Sequence, residues 1–251
     1  MPLNIPQHPG SDHRCRQTRA LETRLASFIL GPMTIRVLCY IDGFNLYHAI
    51  DDMSRASRGE LNYLKWLDLS KLMAFFIDPK VHKIERIKYF SAYATWKPKQ
   101  HERHQIYTKA LASTGVQMIM GQFKEKEIYC PLCKLNHIGH EEKESDVNIA
   151  VHLVGDAHTD AFDQAFIVTR DSDLSGPIRY IKANFPDKKI KIMAPPQRGH
   201  SKELWALSHA RASIKQFHLE KCLFDETVVD SKGDVVCTRP ESYEPPEPQV
   251  S

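Results

Sequence analysis

Three short acidic segments lie far apart in the chain yet share a chemistry. Asp42-Gly43-Phe44-Asn45 ends one apolar run, Asp171-Ser172-Asp173 follows another, and Asp146 opens an amphipathic stretch with Ser145 before it as a candidate N-cap. Taken singly, each acid has an ordinary explanation, because aspartate at a helix start caps free N–H groups and complements the helix dipole. Taken together, clustered carboxylates repel one another and raise each other's pKa unless a cation neutralises them. Hard oxygen ligands open to substrate favour Mg²⁺ or Mn²⁺. Such ions activate water and stabilise the leaving oxygen in phosphodiester cleavage. The acids therefore point to phosphoryl hydrolysis.

A second constellation is Tyr129-Cys130-Pro131-Leu132-Cys133 followed by His137 and His140. Two cysteines and two histidines supply four ligands suited to tetrahedral Zn²⁺, so a structural zinc knuckle is expected over 129–140. The spacing is tighter than that of a usual finger, and a reduced turn without metal is the alternative. Pro131 and Asn136 argue against a redox Cys-x-x-Cys, which opens a helix after a strand. The other four cysteines (Cys15, Cys39, Cys222 and Cys237) are scattered, which fits reduced thiols in the cytoplasm.

Basic residues form two groups: Lys97, Lys99, His101, Arg103, His104 and Lys109, then Lys188, Lys189, Lys191, Arg198 and Lys202. Both could meet a phosphate backbone, although solvated helix faces are commonly charged in this way. Tyr93 and Trp96 are candidates for stacking an unpaired base or for core packing.

The elements that must position these residues alternate. Strands are expected at Ile35–Ile41, Ile84–Tyr93, Val116–Phe123, Ala165–Thr169 and Lys189–Met193. Helices are expected at Leu64–Ile77, at Pro98–Thr114 with Gly115 as C-cap, at Val147–Val154 and around Ile178–Ala183. In Val147–Val154 the expected packing face is Val147, Ala150, Val151 and Val154. Alternation of this kind implies an α/β fold with a central, mostly parallel sheet covered by helices on both faces. Ligands of such sheets bind beyond the carboxyl ends of the strands, where Asp42 and Asp171 fall.

YIDGFNLY (Tyr40–Tyr47), EEKESDVNIAV (Glu141–Val151) and FDQAFIVTRDSDL (Phe162–Leu174) together resemble the NYN domain family of PIN-like ribonucleases, in its LabA-like branch. The resemblance spans about residues 34–217. It implies a three-layer α/β/α PIN-like fold and metal-dependent endoribonuclease activity on RNA. It further implies that Asp42, Asp146 and Asp171 hold Mg²⁺ or Mn²⁺, with Asp173 a fourth catalytic acid. Asn45 would orient a ligand or an acid, and Lys143 would contact phosphate. Many relatives have Ser-Gly where this chain has Thr169-Arg170, so Arg170 would clamp a phosphate or restrict access.

The net charge of +3 divides unevenly: +2 over residues 1–32, +6 over 33–224 and −5 over 225–251. A mildly basic centre is compatible with a polyanion partner. The expected organisation is an N-terminal extension (1–32), disordered or dispensable if Met33 is the natural start, then a nuclease domain (33–224) and an acidic, proline-rich disordered tail (225–251). No apolar run is long enough to span a membrane. No Gly-x-Ser-x-Gly, P-loop or GxGxxG sequence occurs. Two other readings stay open. One is a non-catalytic RNA-binding or regulatory module. The other is a haloacid-dehalogenase-like phosphatase, disfavoured because DSDLS lies too late in the chain. Oligomeric state is open, a homodimer being compatible with the sequence.

Overall fold

In the computed structural model, which describes residues 34–247, the run IRVLCYID becomes β1 (Ile35–Asp42), buried from Val37 onward. The N-terminal extension, and with it the expectation that Met33 is the start, lies outside the described residues. β1 passes directly into α1 (Gly43–Ala56), which the sequence pattern had not marked. A 3₁₀ turn (Asn62–Lys65) and α2 (Leu69–Ala74) follow, then β2 (His82–Ser91), α3 (Pro98–Ser113) and β3 (Gln117–Met120). Next come β4 (Gln122–Tyr129), β5 (Asn136–Lys143), α4 (Ser145–His158), β6 (Gln164–Val168), α5 (Ser175–Asn184) and β7 (Lys189–Ala194). The chain closes with α6 (Lys202–Leu207), β8 (Ala210–Ser213), α7 (Gln216–Lys221), β9 (Thr227–Val229), β10 (Val235–Thr238) and a 3₁₀ turn at Glu241–Tyr243.

Six strands form one parallel sheet in the order β3-β2-β1-β6-β7-β8. One face is covered by α1, α2, α3 and α7 through a core containing Leu46, Met53, Trp66, Leu72, Leu111 and Leu219. The other is covered by α4, α5 and α6 through Ile149, Leu153, Phe162, Ile178 and Leu204. This is the three-layer α/β/α arrangement that strand–helix alternation requires. β1 and β6 are adjacent, but the chain runs outward from them in opposite directions, to β2–β3 and to β7–β8. Their carboxyl ends therefore form the switch point at which such sheets bind ligands.

Several expected elements differ. The segment expected as one helix over Leu64–Ile77 is split, because the Asp68 carboxylate accepts from the amides of Ser70 and Lys71 and starts α2 afresh. The strand expected at Val116–Phe123 divides at Gly121 into β3, which joins the parallel sheet, and β4, which pairs antiparallel with β5 in a separate ribbon. A Cβ at Gly121 would stand 2.7 Å from the Lys143 carbonyl, so the crossing of the ribbon's two ends requires glycine. On α4 the buried stripe is Ile149, Leu153 and Ala157, while Val147 and Val151 face solvent. The helix carries apolar residues on more than one face, and only docking on β1 selects among them.

Of the segment 225–251, expected to be disordered, the described residues 225–247 are folded. β9 and β10 form a hairpin, Val228 and Tyr243 are buried in the first core, and the Trp66 indole donates to the Asp225 carbonyl (2.9 Å). A low apolar content conceals two anchors that suffice once a preformed surface receives them.

Candidate active site at the switch point of the sheet

Asp42 is both the last residue of β1 and the N-cap of α1. Its Oδ1 accepts from the Asn45 amide (2.9 Å), and its Oδ2 accepts from the Asn45 side-chain amide (2.5 Å) and from the Thr169 hydroxyl (3.0 Å). Burial pushes the Asp42 carboxyl above its ordinary pKa; these donors oppose the shift and the charge of Asp171 adds to it. The same Thr169 oxygen accepts from the Asp171 amide (3.0 Å), so one hydroxyl ties the ends of β1 and β6 together. Asp171 in turn caps the turn after β6, its Oδ1 accepting from the Asp173 amide (3.0 Å). Gly43 is obligatory here. A Cβ would lie 2.6 Å from the Phe90 carbonyl and 2.7 Å from the Tyr89 ring.

Asp146 reaches the same place from the first turn of α4. Carboxylate oxygens of Asp146, Asp171 and Asp173 lie within 4.8 Å of one another. The tightest trio thus contains Asp173, whereas Asp42, expected among the three ion-binding acids, has its oxygens committed to Asn45 and Thr169. Asp42 remains within electrostatic reach of both Asp146 and Asp171. Asp146 has its pKa raised to about 6, first by partial burial and then by Asp42, Asp171, Glu142 and Asp173.

Glu142 is the acid that the sequence pattern did not single out. It sits on β5, and its Oε1 accepts from the Ser145 amide (3.0 Å). It lies near the end of β5, three residues before Ser145, so this contact with α4 is local in the chain. The N-cap position of α4 is Glu144, in a left-handed conformation, rather than Ser145, whose buried hydroxyl has no partner. Lys143, expected at phosphate, pairs with Glu141 (2.9 Å).

Two concavities flank the acids. An open cleft of about 520 Å³ is lined by Phe44, Asn45, His48, Arg170, Asp171, Ser172 and Arg198. Arg170 is exposed there, and Arg198 is engaged by Asp52. A more enclosed cavity of about 480 Å³ lies on the other side of Phe44 and His48, walled largely by aromatic rings from α1, β2, α3, β4 and the C-terminal turn. Trp96 stands in it, stacked on His140 at 3.7 Å, while Tyr93 packs against His101 and His104. From the first basic group, Lys97, Arg103 and His104 line the cavity. Burial, with a smaller contribution from His101, lowers His104 to a pKa of about 4, so its imidazole is neutral. Much of the second basic group braces the fold. Lys188 is bound to Asp160 and to the Phe162 carbonyl, and Lys191 lies over the Phe166 ring while donating to the Phe76 carbonyl.

At the far end of the ribbon, Cys130, Cys133 and His137 bring ligand atoms within 4.8 Å, with Cys133 Sγ 3.0 Å from His137 Nε2. His140, expected as the fourth ligand, does not join them. Three residues along a strand reverse the side-chain direction, so His137 and His140 face opposite sides of β5. None of the described cysteines forms a disulfide.

The NYN domain model matches residues 36–213. The chain is 25% identical, over 247 residues, to the 6-hydroxy-3-succinoylpyridine 3-monooxygenase of Pseudomonas putida, covering 83% of this chain and 75% of that protein. A crystal structure of a protein of unknown function from Vibrio parahaemolyticus superposes with a TM-score of 0.52 at 17% identity, over 78% of this chain and 99% of that one, a likeness of fold.

Proposed function

The chain belongs to the NYN domain family of PIN-like nucleases, and from that premise we propose that it is a divalent-metal-dependent endoribonuclease of the LabA-like branch. The observation that carries this reading is the convergence of Asp42, Asp146, Asp171 and Asp173 from three distant segments on one switch point.

The donor set suits Mg²⁺ or Mn²⁺. It consists of carboxylate oxygens, partly exposed, whose mutual repulsion a cation relieves. Asp146, Asp171 and Asp173 would hold the ion. When bound there, it supplies the means to activate water and to stabilise the leaving ribose oxygen. Asp42 stays fixed by Asn45 and Thr169 and contributes negative potential from beneath. Arg170 presents its guanidinium on the cleft side and would receive a non-bridging phosphate oxygen. In the reaction the water oxygen would form a new bond to phosphorus and give up a proton, the bond to the leaving ribose oxygen would break, and that oxygen would take up a proton.

Labelled RNA with Mg²⁺ or Mn²⁺ is expected to be cut by the wild type, and Asp146→Asn or Asp171→Asn is expected to lower the rate about a hundred-fold or more. Equal cleavage by wild type and both variants sinks the proposal. Salt-dependent RNA binding without turnover points instead to a non-catalytic RNA-binding module.

We also propose that Cys130, Cys133 and His137 hold structural Zn²⁺ at the ribbon tip. Hydrogen bonding from Cys133 and the Leu132 amide already holds the Cys130 thiol below its ordinary pKa, which favours the ligating thiolate. Elemental analysis is expected to find zinc in the wild type and to lose it in Cys130→Ser; zinc in neither excludes the site.

A further inference from the structure

We infer that the aromatic cavity beside the acids is a pocket for one unpaired nucleobase of the RNA strand, which seats the adjoining phosphate over the acidic cluster. This rests on the endoribonuclease reading and adds to it a specificity site. The cavity, of about 480 Å³, falls within the roughly 300–1,000 Å³ of pockets that enclose small ligands. Its wall contains Phe44, Tyr47, Trp96, Tyr107, Phe123 and Tyr243, ring faces that accept any base by stacking.

It is not a packing defect. An unfilled gap in a core is bounded by aliphatic groups, whereas this one also carries Lys97, Gln100, Arg103 and His104. Among the described residues no carboxylate lies within ion-pairing distance of Lys97 or Arg103, and the side-chain partner of Arg103 is the neutral Tyr243 phenol, so neither charge is neutralised before an anionic strand arrives. His104, neutral and with one ring nitrogen 3.4 Å from the Ser91 hydroxyl, and Gln100 offer donor and acceptor groups to a base edge.

Position links the cavity to the chemistry. Phe44 and His48, one turn apart on α1, line both this cavity and the cleft holding Asp171 and Arg170. Glu142, which acts on Asp146, lines the cavity as well. One ridge of α1 thus separates an aromatic chamber from an acidic one, and a nucleotide draped over it places its base in the first and its phosphate in the second. Tyr243, from the folded C-terminal segment, forms part of the wall, its phenol beside the Arg103 guanidinium. The turn that carries it is tied down by the Asn62 side chain, which donates to the Ser242 carbonyl.

The test uses the full chain. Binding of the four nucleoside 5′-monophosphates is measured calorimetrically without added divalent metal, for the wild type, Tyr243→Ala and Ala94→Phe. The first variant removes a wall and the second fills the chamber, so a folding failure in one leaves the other to decide. Both are expected to weaken binding of at least one nucleotide by about five- to a hundred-fold, the range that loss of a base–aromatic stack produces. In parallel, RNA oligonucleotides with one abasic position are cut in Mn²⁺, and cleavage is expected to fall at a fixed distance from that position. If RNA is cut but neither base removal nor either variant changes the rate, the base pocket is overturned and the ribonuclease reading stands. If nucleotides bind and both variants weaken them, yet no RNA is cut, the pocket stands and the ribonuclease reading falls. Tight binding of a planar aromatic acid such as nicotinate, with no binding of nucleotides, overturns the pocket as a base site.

Discussion

Asp146 illustrates how a carboxylate that is costly to the fold can be accounted for by the metal role proposed for it. Its neighbours Asp42, Asp171, Glu142 and Asp173 are all acids, and their field disfavours its charge. Asp146→Asn is therefore expected to stabilise the metal-free protein by about 1 kcal/mol, a figure discounted for partial exposure. The variant should also lose most of the rise in melting temperature that Mn²⁺ gives the wild type. A destabilised variant in metal-free buffer would mean that Asp146 serves only the helix start. His104 makes the opposite kind of prediction. Its folded pKa of about 4 lies below the unfolded value of 6.5, so the unfolded chain binds the proton first as pH falls. The stability contributed by the neutral ring is complete above about pH 6.5 and is lost toward pH 4. His104→Asn should flatten the decline in urea midpoint between pH 7 and pH 5; an unchanged decline would assign it to other groups.

At the scale of elements, α4 must be held at one height on the sheet for Asp146 to meet Asp171. Apolar contacts from Ile149 and Leu153 permit sliding, whereas a buried polar network does not. Lys88 of β2, almost fully buried, binds Asp156 of α4 (2.5 Å) and lies 3.1 Å from a His152 nitrogen, and the Tyr40 hydroxyl of β1 donates to the same Asp156 oxygen (2.7 Å). Lys88→Met leaves the mostly covered Asp156 carboxylate without its cation, with only the Tyr40 hydroxyl donating to it, and is expected to cost about 3 kcal/mol in chemical denaturation. Adding Asp156→Leu should recover much of that loss, and a purely additive double variant would contradict the pairing. The β4–β5 ribbon teaches a related lesson. Read as spacing, His137 and His140 looked equivalent; once the segment is a strand, alternation sends one to Cys133 and the other to Trp96.

For the whole molecule, the charge division of the sequence suggested a basic domain with a disordered acidic tail outside the fold, and residues 225–247 of that tail are instead packed on the domain. Removing residues 227–247 strips Val228 and Tyr243 from the core, each worth about 1.5–3 kcal/mol. At about 2–4 °C per kcal/mol for a chain of this size, the melting temperature should fall by roughly 6 °C or more. An unchanged melting curve would return the tail to the status of an appendage. Among the described residues no helix is long and apolar enough to cross a membrane. The sequence by itself determined the strand–helix alternation, the parallel sheet and the identity of the acids, because these follow from local periodicity and from residue type at strand ends. It also placed Asp42 and Asp171 at the sheet's carboxyl edge, since a buried run followed at once by Asp-Gly or Thr-Arg-Asp has few other readings. Only the tertiary structure decided that Asp173 joins Asp146 and Asp171 while Asp42 is held by Thr169, that Glu142 belongs to the site, and that Tyr243 closes an aromatic chamber beside it. Apart from Glu142, which lies four residues before Asp146, those contacts join residues from 27 to 199 positions apart, and such pairings are set by how elements dock, a property that no local pattern of polarity carries.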